Sequence, residues 1–292
     1  MKKDASQLKK EYLQKISNEF PKLKIYSSRL FTHGSDHDVV FINDSMVFRF
    51  PKSKKYVQTF KREIKFLSSF SKMTQVSVPR YTFVAKNYLF GGYKKKEGHW
   101  LTKNLYGNLD SFTQEVIARQ LAHFLTLLHH FPLREARKMG FSEEWPISKQ
   151  IRAYQKRKKE IFSVLSEKEK IFVEKFIEGY AHISVPRLAL LHYDLSKDHI
   201  LVKDGRVEGI IDFGDSALGD PAADFAWLWE LGEKFVTTVY NEYNGLKDHS
   251  FLSRSQLYHD AMYLSWIYHG VHEKKKKLLQ RGLRELRKIV KN

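Results

Sequence analysis

His192-Tyr193-Asp194-Leu195-Ser196-Lys197-Asp198-His199, followed after a short hairpin by Asp212-Phe213-Gly214, is the stretch on which the reading of this chain turns. Phosphoryl transfer needs one carboxylate to orient an attacking hydroxyl and another to hold magnesium against the phosphates. Asp194 and Asp212 are candidates for those two tasks. Between them, His199-Ile-Leu-Val-Lys203 and Val207-Glu-Gly-Ile-Ile-Asp212 have the composition of two strands, and Asp204-Gly205 suits a type I′ turn. Such a hairpin returns the second carboxylate to the neighbourhood of the first. A lone His-x-Asp is more often a turn or a cap. The order of strand, His-x-Asp loop, hairpin and Asp-Phe-Gly points to a kinase-type site.

Outward from this motif, 292 residues suffice for one large domain or two lobes. A 42% hydrophobic content excludes a disordered chain. The absence of cysteine excludes disulfides, thiolate metal sites and cysteine nucleophiles. No apolar run approaches the roughly 20 residues of a membrane helix. Met1-Lys-Lys-Asp-Ala leads into a polar helical pattern with no apolar signal core, so the cytoplasm is the expected compartment. The net charge of +18 raises the alternative of a nucleic-acid binder. Its runs Lys94-Lys95-Lys96 and Lys274-Lys275-Lys276-Lys277 lie in a connector and on a polar helix face, without a recognition motif, and read as solvated surface.

Residues 5–20 read as a helix. Ile25 to Asn43 reads as two strands around His33-Gly34-Ser35-Asp36-His37-Asp38, and Met46-Val-Phe-Arg-Phe50 as a third that Pro51 ends. Phe60, Ile64 and Leu67 give 58–70 a helical spacing. Val78 to Phe90 supplies more strand, which Gly91-Gly92-Tyr93 breaks. Then the pattern turns helical: 115–130, 149–165 and 167–182, the last behind the capping box Ser166-Glu-Lys-Glu169. A short strand at 188–191 precedes the motif, and helices follow at about 221–232, 234–243, 256–270 and 272–290. The expected fold is α+β and bilobed: a small antiparallel β-sheet lobe over 1–94 and a larger, mainly helical lobe over 95–292.

Leu191-His-Tyr-Asp-Leu-Ser-Lys-Asp-His-Ile-Leu201, Gly209-Ile-Ile-Asp-Phe-Gly-Asp-Ser-Ala217 and Gly219-Asp-Pro-Ala-Ala-Asp-Phe225 resemble the aminoglycoside phosphotransferase family, most closely its 2″-phosphotransferase branch. Weaker similarity runs through Phe48-Arg-Phe-Pro-Lys52, Arg62-Glu-Ile64 and Leu121 to His129. More remotely, the chain is similar to macrolide and choline kinases. The resemblance implies a protein-kinase-like fold. It also implies transfer of the γ-phosphate of ATP or GTP, with Mg2+, to a hydroxyl of an aminoglycoside-like antibiotic. The expected form is a monomer with no membrane or nucleic-acid partner.

By position, the resemblance makes Asp194 the catalytic base and Asp212 the magnesium ligand. His199 stands where many members have a metal-binding asparagine. Magnesium prefers oxygen, so direct ligation and a supporting role are both open. Arg49 stands where the family has a phosphate-pairing lysine, with Glu63 as its ion partner. Strand alternation sets Val47 and Arg49 opposite Met46, Phe48 and Phe50. A guanidinium does not replace an ammonium freely, and Lys52 is a second candidate for the amine. Gly34 and Ser35, with nearby backbone N–H groups, would cradle phosphate. Gly91 to Gly98 matches the interlobe connector, whose backbone would bind a purine; Tyr93 and Lys95 belong to it, and Tyr93 would limit pocket depth. His192 reads as fixing loop shape, and Asp220 and Asp224 as carboxylates of a helix start.

A polycationic acceptor calls for carboxylates around it. After the Asp-Pro helix start the sequence offers only Glu230 and Glu233, while the late helices hold Trp266, Tyr268, His269 and His272. That turns the expectation toward a less cationic or aromatic acceptor, such as a macrolide. Arg49 and the poor glycine turn leave a nucleotide-binding pseudoenzyme open. A protein kinase is disfavoured because Pro221 follows Asp-Phe-Gly too soon to admit an activation segment.

Overall fold

A computed structural model describes residues 4–32 and 34–291. The chain runs through α1 (Ala5–Glu19), β1 (Ser28–Phe31), β2 (His37–Ile42), β3 (Met46–Pro51), α2 (Lys54–Phe70), β4 (Tyr81–Val84), β5 (Gly91–Lys94) and β6 (His99–Trp100). It continues with α3 (Lys103–Gly107), α4 (Ser111–His129), α5 (Leu133–Lys138), α6 (Ile147–Phe162) and α7 (Glu167–Ala181). Then come β7 (Ala189–Leu191), β8 (Ile200–Lys203), β9 (Arg206–Ile210), β10 (Ala217–Gly219), α8 (Glu233–Glu242), α9 (Phe251–His272) and α10 (Lys276–Lys291). A 3-10 turn at Lys197–His199 precedes β8, and Pro221–Leu231 is also wound as a 3-10 helix. Two compact units interleave in sequence. The first comprises residues up to Gln120, Lys138–Gly140 and Lys197–Ser216; the second comprises Leu121–Arg137, Phe141–Ser196 and the chain from Ala217 onward.

In the first unit, the described residues form an antiparallel five-stranded sheet in the order β1-β2-β3-β5-β4. The alternation read in β3 is realised. Phe48 and Phe50 join Ile16, Val40, Ile42 and Phe90 in one core, with the Phe50 and Phe90 rings stacked at 4.7 Å. Arg49 points to the other face. Helix α2 begins earlier than its apolar spacing suggested because Ser53 caps it, its side chain accepting from Tyr56 N–H. Strand β2 also begins earlier: His37 and Asp38 are buried strand residues rather than part of the turn. His33 of that expected turn lies outside the described residues.

Gly91 and Gly92 do not break the strand; they sit inside β5, between β3 and β4. A Cβ on Gly92 would fall 2.6 Å from the Phe48 ring, so glycine here serves close packing rather than a turn. The unit also contains the β8–β9 hairpin, with Asp204 at φ 49° and Gly205 at φ 73°. Both residues are left-handed, as a type I′ turn requires. Ile210 N–H donates to Ser77 O at 2.9 Å and ties the hairpin to the chain ahead of β4.

In the second unit, α6, α7, α9 and α10 close on Ile161, Leu165, Val173, Leu264, Ile267 and Leu286. The capping box of α7 forms on both sides. Ser166 N–H donates to Glu169 Oε2 at 2.7 Å, and Glu169 N–H to Ser166 Oγ at 3.4 Å. Asp220 caps Pro221–Leu231 as expected, accepting from Ala222 N–H at 3.1 Å. Helix α9 begins at Phe251 and α10 at Lys276, against expected starts of 256 and 272. No helix among the described residues is long and apolar enough to cross a membrane.

Candidate active site

Asp194 lies in the half-buried loop after β7, in the second unit. The residue before it, Tyr193, is held at φ 69°, a left-handed conformation that costs a non-glycine residue about 1–3 kcal/mol and persists only where surroundings enforce it. Asp224 does the enforcing. Its Oδ2 accepts from His192 N–H at 2.8 Å and its Oδ1 from Tyr193 N–H at 2.7 Å. His129 Nε2 lies 3.0 Å from Oδ2, and Tyr243 Oη lies 2.6 Å from His129 Nδ1. Asp224 and His129 are both fully buried. The role expected of Asp224, a helix-start carboxylate, is therefore incomplete: it clamps the backbone that presents Asp194. Arg254 neutralises the other carboxylate, Asp220, with Nε 2.6 Å from Oδ2, and Tyr258 Oη donates to the same oxygen at 2.9 Å.

In the first unit, Arg49 is the centre of a buried charge network. Nη1 donates to Glu63 Oε1 at 2.7 Å, and Nη2 to Asp212 Oδ1 at 2.8 Å. Tyr81 Oη donates to Glu63 Oε1 at 3.0 Å. Burial alone would pull Arg49 down, but Asp212 and then Glu63 hold it above the ordinary arginine value, so it stays charged. Glu63 takes the burial penalty and is pushed up to about 7, against the pull of Arg49. His37 Nδ1, 3.2 Å from Arg49 Nη2, must accept from a guanidinium that has only protons to give. Burial, then Arg49, pushes that imidazole down to about 3. The 3-10 turn and hairpin bring His199 Nε2 to 3.8 Å from Asp212 Oδ2, and Ile211 N–H donates to His199 O at 3.0 Å. Asp212 itself is left-handed, at φ 64°.

A family model for the phosphotransferase enzyme family matches residues 27–249. The chain belongs to the phosphotransferase enzyme family. The structure of the GDP complex of wild-type aminoglycoside 2'-phosphotransferase-IIIa is similar at a TM-score of 0.84 and 26% identity, covering 97% of this chain and 99% of that one. The GDP and kanamycin complex of APH(2")-IIIa gives 0.85 and 26%, over 95% and 97%. At 16% identity, macrolide 2'-phosphotransferase MphH from Brachybacterium faecium shares the fold, with a TM-score of 0.69 over 95% and 97%. The expectation of a kinase-like α+β fold and of an enzyme that phosphorylates an alcohol group is met.

The remaining site residues of this phosphotransferase are distributed as follows. Lys52 does not share the position of Arg49: its Nζ donates to Thr32 O at 2.8 Å and to Gly34 O, and lies 3.2 Å from Asp38 Oδ1. It tightens the Gly34–Ser35 turn. A Cβ on Gly34 would meet His37 O at 2.8 Å, which only glycine avoids. Tyr93 is buried in β5, its ring edge-on to Tyr81 at 5.0 Å, and Lys95 N–H donates to Ser45 O at 2.8 Å. The stretch outside the sheet therefore begins at Lys95 rather than at Gly91. Glu230 is paired with Arg281, and Glu233 is exposed.

Among the described residues, no three His, Asp or Glu side chains gather as a metal cluster. The Asp212 carboxylate is 44% exposed and has His199 beside it. This donor set fits magnesium, which keeps several waters and takes one or two carboxylates together with substrate phosphates.

Residues that carried no local signal complete the picture. In the sequence His37 reads as part of a turn and Tyr81 as an ordinary strand residue, until β2 and β4 bring them to the Arg49 network. In the second unit, a cavity of about 440 Å³ borders Tyr193 and is lined by Trp145, Tyr154, Arg157, Trp227 and Tyr258 among others. Its aromatic residues come from separate helices and turns.

Proposed function

We propose that this phosphotransferase moves the γ-phosphate of a nucleoside triphosphate, ATP or GTP, onto a hydroxyl of a small antibiotic-like molecule. The observation that carries the reading is the clamped, left-handed loop that presents Asp194 and whose Tyr193 lines a ligand-sized cavity. Asp194 accepts the hydrogen bond of the acceptor hydroxyl and takes its proton as the oxygen attacks; the leaving group is the nucleoside diphosphate. The clamp by Asp224 fixes where that carboxylate points. Arg49, held by Glu63, offers positive charge to the phosphates, and backbone groups of the Gly34–Ser35 turn hold them. Asp212, with His199 in support, would hold magnesium, which supplies positive charge to the β- and γ-phosphates when bound. Residues 1–94 act as the nucleotide-binding lobe, with the base near Tyr93 and Lys95, and 95–292 as the catalytic and acceptor-binding lobe.

For the acceptor, an aminoglycoside is the reading supported by the similarity to the kanamycin-bound phosphotransferase. A less cationic acceptor is the second reading, favoured by the cavity lining. The nucleotide side is tested by titrating magnesium against nucleotide binding in wild type and Asp212→Asn. The variant is expected to need at least tenfold more magnesium and to lose turnover. Superimposable titrations would remove Asp212 from the metal site.

A further inference from the structure

The cavity beside Tyr193 offers a polycation little in its own walls. They include Trp145, Trp227 and several tyrosines, and among the described residues no aspartate or glutamate belongs to the lining. Of the carboxylates that act on its tyrosines, Asp220 is engaged by Arg254 and Tyr258 and Glu174 by Lys158 at 2.6 Å, while Glu143 and Glu144 act on Tyr193 without belonging to the lining. The lining does contain a cation. Arg157 of α6 makes no ion pair among the described residues, and its guanidinium stacks over the Tyr268 ring at 4.5 Å. Stacking on a ring face holds the plane of the guanidinium and leaves its N–H donors for a partner in the plane.

One turn before it, Tyr154 also lines the cavity, and its buried hydroxyl finds no hydrogen-bond partner among the described residues. Positions three apart on a helix are neighbours on one face. Two hydrogen-bond donors, one of them charged, therefore stand together in an aromatic cavity next to the residue that precedes Asp194. A buried hydroxyl left unpaired is costly, and a carbonyl or carboxylate oxygen would relieve both donors at once.

On the reading of this chain as a small-molecule kinase, we infer that the acceptor is a neutral or anionic alcohol with an aromatic or apolar body, anchored by Arg157 and Tyr154. Arg157 is then a specificity determinant. It attracts an oxygen-rich or acidic edge of the acceptor and repels polyamines, whose binding would bury like charges together.

The test uses the full chain and reads binding apart from turnover, through the fluorescence of Trp145 and Trp227 in the cavity wall. Three probes are titrated: 4-(hydroxymethyl)benzoate as an anionic aromatic alcohol, chloramphenicol as a neutral one, and kanamycin as a polycation. The two uncharged or anionic probes are expected to bind wild type at least tenfold more tightly than kanamycin. Arg157→Glu should weaken the benzoate at least tenfold and tighten kanamycin by a similar factor. Arg157→Gln should move both in the same direction by less, and circular dichroism should match wild type for both variants. Kanamycin binding wild type as tightly as the other probes, no probe binding, or a ratio unmoved by Arg157→Glu would each overturn the inference. Binding that follows the expected order without phosphate transfer from ATP or GTP would instead sink the kinase reading and leave the cavity assignment standing.

Discussion

Arg49 reaches two carboxylates from one side chain, with Nη1 on Glu63 and Nη2 on Asp212. A lysine at the same point has one nitrogen and would have to choose. The Arg49–Glu63 pair is buried on both sides, with 6% and 1% of the two side chains exposed, so truncation leaves a carboxylate without its counter-charge. Arg49→Ala is expected to destabilise the fold by about 3–5 kcal/mol and to abolish turnover. Arg49→Lys should keep the Glu63 contact and retain activity. Denaturation curves and initial rates for both variants check this. Wild-type behaviour of the alanine variant would make Arg49 a bystander.

His37 gives the same network a pH signature. Its imidazole is pushed down to about 3 from an ordinary 6.5, so the unfolded chain binds a proton that the folded chain refuses. Its contribution to stability is intact above pH 6.5 and falls as pH drops toward 3, at about 1.4 kcal/mol per pH unit. Glu63, raised to about 7, acts with the opposite sign: folding favours its protonated form, which adds stability as pH falls from 7 toward 4.5. Comparing wild type with His37→Gln isolates the imidazole. The stability difference between the two should shift by that slope between pH 6 and 4.5. A pH-independent difference would mean that His37 protonates freely in the fold.

At the scale of elements, the hairpin shows how much was readable. Asp204-Gly205 fixed its turn, which was legible because a two-residue loop of that composition has few alternatives; the meeting of Asp212 with His199 was not read from the turn, which was expected to return Asp212 toward Asp194. The alternation of β3 and the capping box of α7 were legible for the same reason: each is a local pattern with a local cause. Strand β6 was not, since two exposed residues pairing with Val202 and Leu201 carry no period to read. Asp224 was placed correctly near a helix start, but its partners lie 31 and 32 residues earlier in the chain, and no spacing rule announces such a contact.

Gly92 was misread because turn and close approach leave the same letter in the sequence. Gly92→Ala is therefore expected to destabilise by about 1–3 kcal/mol, through overpacking against the Phe48 ring rather than loss of a turn. A shift in the midpoint of chemical denaturation measures it, and a neutral substitution would mean that Phe48 has room to move.

Taken as a whole molecule, the protein carries a net charge of +18 that neither the Arg49 network nor the Asp224 clamp uses directly. Much of the excess sits on helix faces such as α10, where Arg284 and Lys288 share Glu285. On the proposed function, the clamped Asp194 acts on the acceptor and the Arg49 network on the phosphates. A pseudoenzyme would keep the second and lack the consequence of the first. The direct test is phosphate transfer from radiolabelled γ-phosphate of ATP and GTP to the alcohol panel, run on wild type and Asp194→Ala alongside nucleotide binding. The account expects label in at least one alcohol with wild type. It also expects transfer to fall about 100- to 10,000-fold in the variant, with nucleotide affinity unchanged. Nucleotide binding without transfer to any alcohol, or equal transfer by both proteins, would contradict it.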